Sequence, residues 1–231
     1  MATGDMARGF LKFVKENNLP LDFYSYHRYH FNPGEFRKVG IEVRNMLDSY
    51  GFNKCITILD EWNFNINFNH QLNASYRAMS TNQGAMFVLS SLIEIAKSPI
   101  DINTYYDFEI NYMLFAYNGL VKLGPLFNLK TTEVFNVYKV FNVLKKTGKY
   151  YESNSSASGI YSLVSKDKDA LYVLLSNYRF IDNKDFEVEV DLGEMEYKSV
   201  EIIKKDSITR KDKLESVYLK NESYVLLKYS I

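Results

Sequence analysis

Cysteine is almost missing from this chain of 231 residues: Cys55 stands alone, so no intrachain disulfide can form. A reducing cytosol and a disulfide-free secreted setting look alike on that count, and localisation stays open. Net charge is missing too. Lys and Arg number 28, as do Asp and Glu, which removes the long-range field that nucleic acid or an anionic membrane would require. No apolar run approaches the ~20 residues of a membrane span. The first ten residues, MATGDMARGF, lack the basic-then-apolar order of a secretion signal. No glycine-rich phosphate loop follows a strand-like segment, and no G-x-S-x-G elbow occurs. No cofactor is expected, nor a nucleic-acid or membrane partner.

What is abundant is aromatic. The chain holds 19 Tyr and 16 Phe, and is 46% hydrophobic against 24% charged, as suits a folded protein with a sizeable core. Aromatic faces match the apolar faces of sugar rings, but they fill cores first.

The first two-thirds alternate between two periodicities. Residues 6–17 carry Phe10, Leu11, Phe13 and Val14 at helical spacing, and Leu19-Pro20 breaks the helix. Residues 21–29 (LDFYSYHRY) read as a strand. Phe36, Val39, Val43, Met46, Leu47 and Tyr50 then repeat as a helix, with Gly51 where a C-cap belongs. Residues 55–62 (CITILDEW) lack alternating polarity, as expected of a strand buried on both faces. A long, mostly buried helix is expected over 79–97, a third strand over 101–108, a loop over 109–130, and a last helix over 132–146 closed by Gly148. Strand–helix alternation of this kind implies parallel strands joined by crossover helices. After the polar stretch 152–158 (ESNSSAS) come six strand-like runs, at 160–165, 170–177, 186–192, 199–204, 214–219 and 224–229. In the third, Phe186, Val188, Val190 and Leu192 alternate with Glu187, Glu189 and Asp191, so one face is wet. These runs predict a small antiparallel sandwich that serves as a packing module.

In a parallel α/β structure the C-terminal strand ends share one face, where ligands bind. Three polar clusters fall there: Ser25-Tyr26-His27-Arg28-Tyr29, Asp60-Glu61-Trp62-Asn63, and Tyr105-Tyr106-Asp107. Glu61 is the sharpest candidate, because a carboxylate ending a buried strand costs free energy unless it is hydrogen-bonded or used. Ser25, His27 and Tyr29 share a strand face. His27 and His30, three apart, point to opposite faces and have no suitably spaced third ligand, so no metal site is expected.

LDFYSYH at 21–27, ILDEWN at 58–63 and NTYYDF at 103–108 together resemble the last three strands of clan-A glycoside hydrolases, most of all family 39, the β-xylosidase and α-iduronidase group. The resemblance implies an α/β fold class: a partial (β/α)8 TIM barrel over 1–149, its last three strand–helix units, followed by a β-sandwich over 150–231. It implies that Glu61, at the end of strand seven, is the nucleophile of a retaining mechanism. Ser25, His27 and Tyr29 match the S-x-H-x-Y-like pattern of strand six, with His27 and Tyr29 supporting Glu61. Trp62, Tyr105 and Tyr106 would shape the sugar pocket, and Asn63 would bond a sugar hydroxyl. The family's general acid/base sits in an Asn-Glu pair on strand four. The only such pair here, Asn221-Glu222, lies in the sandwich region. A retaining glycosidase needs two carboxyl groups ~5–5.5 Å apart, and a complete barrel takes ~250 residues. The expectation is therefore a C-terminal fragment without its acid/base, weakly active alone, and prone to self-association through its open barrel edges. The competing expectation is a non-catalytic carbohydrate-binding or assembly protein on a degenerate barrel. An open nucleotide-binding α/β domain is a third, and needs the glycine loop that is missing.

Overall fold

The computed structural model describes residues 2–65, 81–108, 119–123 and 128–231. They form a mixed α/β fold with four helices. The first half runs α1 (Asp5–Glu16), β1 (Phe23–Tyr29), α2 (Gly34–Ser49), β2 (Ile56–Asn63), α3 (Asn82–Ala96), β3 (Ile102–Tyr105), β4 (Val121–Leu123), β5 (Leu129–Thr131) and α4 (Glu133–Lys145). Strands β1, β2 and β3 lie side by side in that order, all parallel. Gly51 and Gly148 follow α2 and α4 with φ of +91° and +76°, the left-handed backbone that glycine adopts without a Cβ penalty.

The helices seal one face of this sheet. Phe36, Val39, Val43 and Leu47 of α2 repeat at helical spacing and are buried against it. Nearly all of α3 is buried, since it packs on α2 and α4 and also on the second sheet. At the strand starts, the Asp101 carboxylate accepts from the Thr57 backbone N–H at 2.8 Å and from its hydroxyl at 3.0 Å, tying β3 to β2. Arg44 donates to the carbonyls of Phe52 and Cys55, at 2.6 and 2.7 Å, and so fixes the entry into β2.

Among the described residues, nothing covers the opposite face. Phe23, Ile56 and Ile102 are 55%, 44% and 47% exposed, and register pairs Phe23 with Ile56 and Ile58 with Ile102. This corrects the expectation that β2 is buried on both faces: Thr57 and Leu59 are buried, Ile56 is not. Helix α1 repeats the asymmetry. Ala7, Leu11 and Val14 are buried, while Met6, Phe10 and Phe13, also at i, i+4 and i+7, face outward.

The second half is antiparallel. Strands β6 (Tyr150–Tyr151), β7 (Ile160–Lys166), β8 (Ala170–Asn177), β10 (Ser199–Lys204), β11 (Ser207–Lys211) and β13 (Ser223–Ser230) form one sheet in the order β11-β10-β13-β8-β7-β6. A ribbon of β9 (Phe186–Glu189) and β12 (Ser216–Leu219) covers its outer face through Val188, Val217 and Leu219. Its inner face, with Leu163, Leu174 and Leu226, joins the same apolar core as α2 and α3. A serine pair, Ser90 of α3 and Ser176 of β8, is hydrogen-bonded at 3.0 Å inside that contact. The six expected runs all carry strands, with β6 and β11 in addition. The expected loop over 109–130 carries a short hairpin in its described part, where β4 pairs antiparallel with β5. Three-residue strands are too short to show a period, so the sequence concealed them. Residues 79 and 80, the expected start of α3, lie outside the described residues.

Candidate active site

The site is built by an irregularity in β2. Up to Leu59 the ladder is regular, with Tyr26 opposite Leu59; the next pair is His27 opposite Glu61. On the other edge Leu59 meets Asn103 and Trp62 meets Tyr105. Strand β2 thus spends one residue more than either neighbour, which is a β-bulge at Asp60–Glu61. Had β2 stayed regular, Glu61 would have pointed with Thr57 and Leu59 into the helix layer, and Trp62 outward. The bulge reverses both. Glu61 turns to the open face, and Trp62 enters the core.

On the open face four side chains meet. The Tyr29 hydroxyl donates to Glu61 Oε1. The His27 ring lies between two carboxylates, with Nδ1 3.7 Å from Glu61 Oε2 and Nε2 3.4 Å from Asp60 Oδ1. Glu61 is 30% exposed and His27 57%, so solvent and ligand reach both. Asp60 Oδ1 is buried yet has no hydrogen bond. Adjacent residues of a regular strand point to opposite faces, so only the bulge sets both carboxylates beside one imidazole. Asp60 stood in the strand-end cluster of the sequence without a role, and register irregularities leave no periodic signal that would place it beside His27. Ser25 lies exposed along the same face.

Two residues expected to contact the sugar are buried. Trp62 is 0% exposed, edge-on to Phe36 and Tyr105 at 5.3 and 5.0 Å between ring centres, and its indole N–H donates to Asn103 Oδ1 at 3.2 Å. It is a core residue. Asn63 is also 0% exposed; its amide donates to the Tyr106 carbonyl and its Oδ1 accepts from the Phe64 N–H at 2.6 Å and the Tyr105 hydroxyl at 3.4 Å. Its polar atoms are spent on holding β2 to β3. Tyr105 is packed against Trp62 and Tyr138, and burial first, then the neighbouring Tyr138, pushes its phenol well above the ordinary tyrosine range. It stays a neutral donor. Tyr106, the next residue, is 39% exposed. Arg28 points away from the site and pairs with Glu35 of α2 at 2.8 Å. His30 Nδ1 accepts from the Asn32 N–H at 3.0 Å and is used locally. Among the described residues no group of three His, Cys, Asp or Glu side chains is placed to hold a metal ion, and no helix is long and apolar enough to cross a membrane.

No family model matches this sequence and no curated protein matches it. Solved structures do. A glucosidase from Croceicoccus marinus superposes with a TM-score of 0.70 at 17% identity, over 99% of this chain and 58% of that one. A GH39 β-xylosidase from Caulobacter crescentus gives 0.63 at 14%, over 100% and 55%. An α-L-arabinofuranosidase from Thermotoga maritima gives 0.59 at 15%, over 96% and 55%. The chain shares its fold with these glycosidase structures. The chain spans 55–58% of these structures' length.

Proposed function

We propose that this chain is the C-terminal portion of a retaining glycoside hydrolase, with residues 1–149 as the last three strand–helix units of a (β/α)8 barrel and 150–231 as a β-sandwich. The observation that carries this reading is the Glu61 carboxylate, turned by the bulge onto the open sheet face and held there by the Tyr29 hydroxyl. In a completed barrel that face is the interior, and its upper end is the mouth. Glu61 attacks the anomeric carbon and forms a glycosyl-enzyme. The hydrogen bond from Tyr29 and the nearby His27 ring hold the attacking carboxylate in one rotamer. Tyr106 is the accessible aromatic of the pocket, with Tyr105 behind it. The second carboxyl group cannot be Asp60, which reaches the same imidazole from the same strand instead of facing Glu61 across a scissile bond. It belongs to the remaining strands of the barrel, without which the carbohydrate substrate is held weakly.

The two carboxyl roles can be separated chemically. A dinitrophenyl glycoside leaves without protonation, and azide attacks the glycosyl-enzyme without a general base. We therefore expect the chain to release dinitrophenol from xylosyl, glucosyl or arabinosyl donors slowly, faster with azide, and to hydrolyse unactivated disaccharides negligibly. Glu61→Gln should abolish the release. Release that persists in that variant removes Glu61 from the nucleophile role. Sugar binding without any release favours a non-catalytic carbohydrate-binding protein.

A further inference from the structure

A second cavity, of about 370 Å³, lies where α3 and α4 begin and meet the β10–β11 and β12–β13 turns. Glu61 and its neighbours do not line it. The volume is within the range of small-molecule sites. Met86 and Val137 give it an apolar floor, and Tyr218 and Tyr224 give it aromatic walls. Tyr218 is 49% exposed, and its hydroxyl is tied to Asp185, so an accessible ring is held in one orientation. Around these stand Glu133, Asp206 and Glu222 with Lys204, Lys205 and Lys220.

The signs decide the ligand class. Three carboxylates balance three ammonium groups, so the cavity focuses no field of either sign, and a phosphate or carboxylate ligand gains little there. Lys205 is already neutralised by Glu133 at 2.8 Å, and Lys204 Nζ donates to the Tyr218 carbonyl at 3.2 Å. What the site offers instead is a mixture of acceptors and donors over an apolar floor. A sugar hydroxyl both donates and accepts, and a pyranose has apolar faces edged by hydroxyls. Tyr224 adds a fixed donor: burial, followed by Glu133 and Asp206, raises its phenol above the ordinary value, so it stays protonated.

We infer that this cavity is a second binding site, for a neutral saccharide, at the junction of the helices and the antiparallel sheet. Helix α3 follows β2, so it begins beyond the strand end that carries Glu61. Its lining shares no residue with the Glu61 cluster, so it can hold a saccharide apart from the sheet mouth.

The full chain is titrated calorimetrically with xylose, glucose, arabinose, xylobiose and cellobiose, and with inorganic phosphate. The same titrations are run on Tyr218→Ala, on Asp206→Asn, whose exposed position leaves folding intact, and on Glu61→Gln. At least one sugar should bind, about tenfold more weakly in the two junction variants and unchanged in Glu61→Gln. Binding of none of the sugars, preference for phosphate, or a loss confined to Glu61→Gln overturns the inference. Junction binding that survives while Glu61-dependent dinitrophenol release fails would sink the proposed function and leave this site standing.

Discussion

The two faces of the three-stranded parallel sheet are made by the same strands and have opposite fates. Toward the helices, Leu59 and Trp62 are 0% exposed and Tyr26 is 5% exposed, all within one core. Away from the helices, Phe23, Ile56 and Ile102 are roughly half exposed, and the polar cluster of His27, Tyr29, Asp60 and Glu61 stands beyond them. The finished face supplies stability; the bare face holds the chemistry and the liability. The comparison shows what a parallel sheet needs, because both faces must be covered for such strands to rest in water. An apolar stripe with free strand edges seeks a partner.

The comparison breaks most sharply on the finished face. Trp62→Ala should cost about 3–5 kcal/mol in denaturant titrations, since the indole fills the core and bonds Asn103. On the bare face, Phe23→Ser with Ile102→Ser should change stability by less than about 1 kcal/mol and reduce self-association in sedimentation velocity. Equal costs on the two faces would erase the distinction.

Much of this was legible in the sequence. The alternation of helical and strand-like runs placed β1, α2, β2, α3 and α4, and the polar ends of three strands marked one rim. The bulge was not legible. Period-two reading cannot give Glu61 and Trp62 to one face when they are adjacent, yet the strand-end motif assigned both to the sugar pocket. Backbone register decides between them, and register comes from neighbouring strands far away in sequence. Asn63 was hard to read for a related reason: a polar residue at a strand end reads as a ligand contact, and here its side chain also closes the hydrogen bonding between β2 and β3. The helix α1 had two apolar stripes of equal spacing, and only packing shows which is buried.

Smaller effects sharpen the picture. Tyr29→Phe removes a charge-assisted hydrogen bond, worth ~1.5–3 kcal/mol, from the Glu61 carboxylate and should slow Glu61-dependent dinitrophenol release about tenfold to a hundredfold. Folding stability should hardly change, because the site is open to water. The smallest effect concerns acid. Burial raises Glu35 and Glu133, but the Arg28 and Lys205 partners outweigh it and hold both carboxyls below the ordinary glutamate value. Depressed carboxyls contribute stability that is present above the ordinary value and lost as pH falls through the folded one. Both pairs are partly exposed and screened, so each contributes less than about 1 kcal/mol. Unfolding midpoints should fall between about pH 5 and pH 3, and Glu35→Gln should flatten that slope.

The central claim is that the bulge in β2 presents Glu61 as a nucleophile on the open face. A dinitrophenyl 2-deoxy-2-fluoroglycoside tests it, because the fluorine slows turnover of the glycosyl-enzyme and lets it accumulate. After incubation and proteolysis, mass spectrometry should find one fluoroglycosyl group on the peptide containing Glu61, absent in Glu61→Gln. A label on Asp60 or elsewhere, or a label that survives that substitution, would contradict the account.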